Sequence, residues 1–457
     1  MAKEHLYINL YENLKKQIIE GQYKSGDKFP SKRVLGQHLA VSNTTIEHAY
    51  QILSDEGYIY SKPRSGYFVS DVETLPIISR NPSHSHIKQK ETEDIKTQPT
   101  YEYAFNLAEI DAEYFPMQQF RKYARDAFED NQLNLLQHTN PKGEWTLRQE
   151  IAHYLFNSRG VTCHPDQIIV GSSTEQLINL ITDILNKGRF LIENPSYPPI
   201  KQVLDKKHIS YLQVPVNKTG IALEHFNRSN HNIAYVTPSH QFPTGYVMNL
   251  KKRTQLIHWA QQFENRYIIE DDYDSEFRYF GKPIPALQSL DTKDKVIYIS
   301  TFSKSLFPSC RIAYLVLPKK ILNIYNSLNN KEGNTVPAHI QKMVANFMQS
   351  GSFERHLNKM RNVYREKLKF ILDALKPYEN QLEIDGALAG MHFTLTVKNG
   401  LTLKQCLNNA KRNNLKIIPF STYDKSHTSV KFILGFGGIP LSQIEQHTNI
   451  LIKSLTI

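Results

Sequence analysis

Long apolar runs are missing from this 457-residue sequence: none approaches the roughly 18 residues that a membrane-spanning helix needs. Its first residues, Met1-Ala2-Lys3-Glu4-His5, lack the apolar segment of a secretory signal. Cysteine is scarce too. Cys163, Cys310 and Cys406 are too scattered for a disulfide framework or a zinc-ligand spacing, which argues against stapled secreted scaffolds and zinc modules and makes a reducing cytoplasm the expected setting. There is no internal repeat. Against these absences, a 40% hydrophobic and 11% aromatic content can build a sizeable core, and the length exceeds one ordinary domain. The net charge of +11 and pI near 9.2 permit an acidic partner such as DNA. Residues 1–70 hold only nine Lys+Arg against seven Asp+Glu, so any nucleic-acid argument must rest on where the charges sit.

Leu6, Leu10, Leu14 and Ile18 recur at helical spacing over residues 6–20, and Gly21 stops the pattern. Ser31 can cap a second helix, SKRVLGQHLA, expected to bury Val34, Leu35 and Leu39. Val41-Ser42 turns into a third helix, Asn43 to Glu56, burying Ile46, Ala49, Tyr50 and Leu53. Two short strands, Tyr58-Ile59-Tyr60 and Tyr67-Phe68-Val69, flank Lys62-Pro63-Arg64-Ser65-Gly66. Three helices and a basic hairpin predict a winged helix-turn-helix whose third helix enters the major groove. Ser42, Asn43, Thr44 and Thr45 at the start of that helix suit phosphates and base edges. Lys32 and Arg33 stand at the preceding helix N-terminus, and Lys62, Arg64 and Gly66 shape the wing. Residues 71–104 lose periodicity and read as a flexible linker; His84 and His86 within it do not make a metal site.

The rest of the chain turns on the loop Thr301-Phe302-Ser303-Lys304 and on Arg311. The β-branched run Val296 to Ile299 ends there, and a lysine at the mouth of a buried strand loses solvation, which lowers its pKa and frees an amine for imine chemistry. Thr301, Ser303 and Arg311 are donors suited to a phosphate. Upstream, Arg266 to Ile269 runs into Glu270-Asp271-Asp272-Tyr273-Asp274. A carboxylate and a lysine at the carboxyl ends of two strands of one open α/β sheet face one crevice. Pyridoxal phosphate asks for an amine, a carboxylate against its pyridine nitrogen, and phosphate donors. Lys304, Asp271 and the Arg311 loop meet those demands, and Tyr273 can reach the ring hydroxyl. Gly171-Ser172-Ser173-Thr174 opens a helix and offers N–H groups and the Ser173 and Thr174 hydroxyls to the phosphate. Tyr197, in Glu193-Asn194-Pro195-Ser196-Tyr197, is placed to stack on the ring. Cys310 is expected to be a packed thiol.

On these motifs, with Thr237-Pro238-Ser239-His240-Gln241-Phe242-Pro243-Thr244-Gly245, residues from about 105 to 457 resemble a fold-type I aminotransferase domain of class I/II. With its N-terminal region, which carries the Pro30-Ser31-Lys32-Arg33 entry, the whole chain resembles the MocR/GabR subfamily of GntR-type transcription regulators. The implied fold is an α+β winged helix-turn-helix (1–70) and linker (71–104), then an α/β aminotransferase-like domain with a small C-terminal α+β subdomain (105–457). The resemblance implies a pyridoxal phosphate Schiff base on Lys304, a double-stranded DNA operator with two half-sites, and a homodimer, domain-swapped or not. The turn His138 to Gly143 falls where relatives reach the neighbouring cofactor across the dimer, with His138 nearest the position of their tyrosine.

The chain also departs from the pattern. Glu47 stands where some relatives carry a basic phosphate contact. Phe242 replaces the asparagine that bonds the cofactor's ring oxygen. In Ile433-Leu434-Gly435-Phe436, isoleucine replaces the arginine that clamps a substrate carboxylate, and Pro199 replaces the second arginine of the GABA-sensing relative. These losses favour a regulator that senses pyridoxal phosphate itself and controls its synthesis genes. The alternatives are a regulator sensing an amine or GABA-like compound, and a working aminotransferase with an appended DNA-binding domain. A cofactor-free scaffold is disfavoured by the intact Asp271, Lys304 and Arg311.

Overall fold

A computed structural model describes residues 4–71, 101–129, 137, 139–226, 230–280, 285–328 and 333–456. The linker assigned to 71–104, with His84 and His86, lies almost wholly outside the described residues, and His138 lies outside them as well. The chain divides into two units, Met1–Gln98 and Pro99–Ile457.

In the first unit α1 (Glu4–Ile19), α2 (Lys32–Leu39) and α3 (Asn43–Asp55) precede an antiparallel hairpin of β1 (Ile59–Lys62) and β2 (Gly66–Val69). Hydroxyl caps fix two helix starts: Ser31 accepts from the Val34 amide and Ser42 from the Thr45 amide. Leu10, Leu14 and Ile18 pack with Phe29, Leu35, Ile46, Tyr50 and Leu53 into one core. Two expectations fail. Leu6 is 49% exposed, and of the α2 trio only Leu35 is buried, Val34 and Leu39 being 59% and 41% exposed. A helix of eight residues lays one face on the core; Val34 is about 100° round the axis from Leu35. Leu39 sits at the last helical position, before Ala40 at φ 53.

The second unit runs β3 (Tyr103–Ala104), α4 (Met117–Glu129), α5 (Trp145–Arg159), β4 (Ile168–Gly171), α6 (Thr174–Ile184), β5 (Phe190–Asn194), α7 (Pro198–Lys206), β6 (Tyr211–Asn217), β7 (Gly220–Ile221), β8 (Ile233–Val236), α8 (Leu250–Gln261), β9 (Tyr267–Asp272), β10 (Val296–Thr301), β11 (Ala313–Val316), α9 (Lys319–Ser327), α10 (Ala338–Gln349) and α11 (Ser352–Leu375). A smaller region follows: β12 (Leu382–Asp385), β13 (His392–Val397), α12 (Leu403–Arg412), β14 (Leu415–Lys416), β15 (Ile418–Pro419), β16 (Lys431–Gly435) and α13 (Ile444–Leu455). The large sheet has the order β4-β11-β10-β9-β8-β5-β6-β7. Strands β10, β9, β8, β5 and β6 are parallel neighbours, whereas β11 and β7 run antiparallel. Every residue of β8, β9 and β11 is buried, as expected of strands covered on both faces.

Register decides which loops meet. Ile299 lies opposite Asp271, Thr301 opposite Ala313, and Ala313 opposite Gly171. The carboxyl ends of β4, β9 and β10 and the entry to β11 therefore finish along one edge, where open α/β sheets bind ligands. The smaller region holds a four-stranded sheet, β12-β13-β16-β15, and β14 pairs with β3.

Candidate cofactor site and DNA-reading surface

Lys304 follows β10 and points its Nζ at the Leu107 carbonyl, to which it donates a hydrogen bond. Burial lowers its pKa to about 8, against the opposing charges of Asp274 and Glu109. One strand over, Asp271 is buried at the end of β9. Its Oδ2 accepts a hydrogen bond from the Tyr235 hydroxyl, while Oδ1 has no partner. Burial pushes this carboxyl up to about 7, with the Tyr235 bond pulling the other way. The edge thus presents an amine that is partly neutral near physiological pH and a buried carboxyl oxygen awaiting a donor.

The small polar residues gather at the same edge. Ser173 caps α6 by accepting from the Gln176 amide, and Thr174 is the first helical residue. The Thr301 hydroxyl donates to Ser303 Oγ at 3.0 Å and receives the Ser303 amide at 3.1 Å. Arg311 is exposed at φ 50, two residues before β11. Tyr197 is half-buried with its ring edge-on to Phe242 at 5.7 Å. Phe242 also meets Tyr273, His392 and Tyr423, at 6.4, 5.8 and 5.0 Å between ring centroids. The Tyr273 hydroxyl lies 3.2 Å from His240 Nδ1. Cys310 is buried, and burial raises its thiol pKa.

In the first unit the candidate DNA contacts divide into two groups. Arg33, Asn43 and Thr44 are exposed, as are Lys62 and Arg64 in the wing, where Lys62 lies over the Phe68 ring at 4.6 Å and pairs with Gly66 across the hairpin. Ser42 and Thr45 instead bond each other at 2.8 Å, so part of their capacity is spent on the cap. Lys32 forms an ion pair with Glu47 at 2.5 Å. That contact joins the start of α2 to the exposed face of α3, and the sequence reading, which noted Glu47 only as a departure, did not foresee it.

Residues 104–399 match the aminotransferase class I and II family, and residues 6–69 match the bacterial regulatory proteins of the gntR family. The uncharacterized HTH-type transcriptional regulator YdeL of Bacillus subtilis (strain 168) is 36% identical over 444 residues, covering 96% of this chain and 95% of that protein. The probable rhizopine catabolism regulatory protein MocR of Rhizobium meliloti is 30% identical over 463 residues, covering 98% and 93%. This chain belongs to the MocR/GabR subfamily of GntR-type regulators. The HTH-type pyridoxine biosynthesis transcriptional regulator PdxR of Corynebacterium glutamicum is 29% identical over 391 residues, covering 84% and 82%. An archaeal alanine:glyoxylate aminotransferase has a solved structure that overlays with a TM-score of 0.70 at 22% identity, over 77% of this chain and 90% of that one. It attests the fold.

Beneath the pocket, this MocR-type regulator carries a polar layer that sequence reasoning missed. His240 Nδ1 bonds Asp274 at 2.9 Å, Asp274 Oδ2 also accepts the Met391 amide at 3.2 Å, and the His240 and His392 rings lie 4.4 Å apart. Gly390, at φ 72, lets the backbone press on this layer: a Cβ there would stand 2.0 Å from His240 Nδ1. Among the described residues, His240, Asp274 and His392 are the one group with the composition of a metal site, one ligand atom from each lying within 4.8 Å of the others. Glu193 accepts from the Thr237 hydroxyl and from Gln241, and burial raises it to about 7. These partners lie 34 to 117 residues apart in sequence, and no local spacing signals them.

The clamp position behaves as its residue type demands. Ile433 is fully buried in β16, opposite Thr394. Lys431, on the same face two residues earlier, is spoken for by Asp385 at 3.7 Å and lies over the Phe420 ring.

Proposed function

We propose that this regulator holds pyridoxal phosphate through Lys304 and reads the cofactor itself as its signal, controlling genes of pyridoxal phosphate synthesis. The supporting observation is the pairing at the sheet edge of a depressed-pKa lysine with Asp271, whose Oδ1 is buried without a donor. A buried, unpartnered carboxyl oxygen costs stability, and a protonated ring nitrogen offsets that cost with a charge-assisted hydrogen bond. When bound, pyridoxal phosphate supplies an aldehyde with which the Lys304 amine condenses. Arg311, Ser173, Thr174, Thr301 and Ser303 hold the phosphate, Tyr197 covers a ring face, and Tyr273 serves the ring oxygen that Phe242 cannot. The polar layer under the pocket holds His240 fixed, and with it the Tyr273 hydroxyl.

Ile433 and Pro199 leave an effector carboxylate without its two guanidinium clamps, each worth roughly 1.5–3 kcal/mol. That weighs against an amino-acid signal and against a working transaminase, and the name of the PdxR relative points toward the cofactor. The domain then acts as a sensor. Cofactor occupancy favours one arrangement of a homodimer, domain-swapped or not, and changes how the α3 starts and the wings meet two half-sites. One second reading has an observation in its favour: the rings of Phe242, Tyr197, Tyr273 and Tyr423 suit an amine lacking a carboxylate. The test is to strip the protein of cofactor and follow its affinity for its own upstream DNA during titration with pyridoxal phosphate. A several-fold change supports the cofactor as signal. An unchanged affinity, with a response to added amines instead, supports the second reading.

A further inference from the structure

Immediately behind the polar layer lies a cavity of about 460 Å3 whose walls carry four guanidinium groups, those of Arg159, Arg253, Arg278 and Arg361. That volume suits a small metabolite. Arg159 is paired with Asp272 at 2.8 Å. Arg253, with no exposed surface, bonds only backbone carbonyls, those of Met248, Pro238 and Pro285. Arg278 and Arg361 use their Nε atoms on the carbonyls of Phe280 and Glu276, and Arg361 adds Asn358. None of these last three has a carboxylate within ion-pair distance among the described residues. The acidic side chains on the wall are Glu354, which is exposed, and Glu276, whose Oε1 accepts from Tyr154 while Oε2 is buried without a partner. Burying the Arg253 cation beside a hollow is expensive unless an anion lies near it, and Arg278 and Arg361, which are half-buried, stand at the same hollow without a carboxylate of their own among the described residues.

The location matters as much as the charge. Ser239, Ser275 and Ala389 line the cavity and are the chain neighbours of His240, Asp274 and Gly390. Asp271 and Asp272, successive on β9, serve the two sides: Asp271 serves the lysine crevice, and Asp272 binds Arg159 from the cavity wall. Arg159 also donates to Ser239 Oγ at 2.8 Å.

We propose that this cavity is a second small-molecule site, taking a compact organic dianion built of phosphate or carboxylate groups and gripped by Arg278 and Arg361. Paired forks of this kind recognise planar or tetrahedral oxyanions bidentately. The site lies outside the lysine crevice, and the proposal stands whether or not that crevice holds pyridoxal phosphate.

Calorimetric titration of the full-length protein with inorganic phosphate and, separately, with succinate tests it. Saturable binding of at least one probe is expected. It should weaken by about tenfold or more in an Arg278→Gln/Arg361→Gln variant, the loss of charge-assisted bonds. It should persist in Arg311→Gln, which removes the phosphate ligand of the crevice. Arg361→Lys, keeping charge but not the fork, should fall between wild type and the double variant and guards against misfolding of the latter. Preference for phosphate or for succinate identifies the headgroup. Absence of saturable binding by both probes, equal binding by the double variant, or loss in Arg311→Gln alone would overturn the proposal.

Discussion

The two units handle their polar side chains in opposite ways. In the winged helix-turn-helix unit the candidate contacts lie at the surface and are either solvated, like Asn43 and Arg33, or joined to each other, like Lys32 with Glu47 and Ser42 with Thr45. In the aminotransferase-like unit Asp271 is buried, most of the other candidates are half-buried and Arg311 is exposed, and several buried atoms around them are left over: Asp271 Oδ1, Asp272 Oδ1, Glu193 Oε1, Glu276 Oε2, and the Nε2 atoms of His240 and His392. A surface that meets DNA can exchange water or a neighbouring side chain for phosphate at little cost. A pocket that takes a small molecule must be prepared in advance, and its orphaned atoms are where that preparation shows.

The sharpest way to break the comparison is at Lys304. Lys304→Ala should abolish the visible absorption of lysine-bound cofactor and the DNA response to pyridoxal phosphate, while circular dichroism shows the fold intact. Retention of a full response would show that covalent capture is not the switch. Next comes Asp271→Asn, expected to weaken cofactor binding by roughly 10- to 100-fold through loss of a charge-assisted bond. Equilibrium dialysis measures it, and wild-type affinity would mean the orphaned oxygen is not the ring's partner. A smaller effect concerns pH. Because burial lowers the Lys304 pKa to about 8, the reactive neutral amine is the minority form below that value and the majority above it. The initial rate of cofactor capture followed by absorbance should therefore rise as pH goes from 7 to 9 and level off, whereas an ordinary lysine would keep climbing toward its pKa near 10.4. The smallest effect belongs to the surface. Glu47→Gln releases Lys32, so operator affinity should rise modestly and the slope of log affinity against log salt should steepen by about one. An unchanged slope would leave Lys32 out of the phosphate contacts.

Local patterns were legible in the sequence where local physics decides. The hydroxyl cap at Ser31, the α3 core set and the buried strands that lead into the Asp271 and Lys304 loops follow from short-range rules, and the class of the fold follows from them. Val34 and Leu39 misled because helical periodicity names a stripe without saying how many residues a short helix can press against a core. The contacts that finish the site were illegible for a different reason. Tyr235 reaches Asp271 across 36 residues and Lys304 reaches Leu107 across 197, pairings set by strand order and register. Lys32 and Glu47 are only 15 apart, yet their meeting depends on the angle between two helices. Residue chemistry suggested roles for Asp271, Tyr273 and Lys304 and the resemblance agreed with them, but neither signalled the His240–Asp274 layer or the arginine cavity.

Lys304 has one nitrogen and two suitors. While its amine is hydrogen-bonded to the Leu107 carbonyl, it fastens the opening stretch of the large unit to the sheet edge. That stretch, from Tyr101 onward, is the first described part of the chain after the segment leading from the winged unit. A nitrogen bonded to carbon can no longer hold that carbonyl in the same way. On the proposed reading, loading the crevice would therefore release the Leu107 stretch of the large unit from the sheet edge, a change confined to one side chain and one carbonyl.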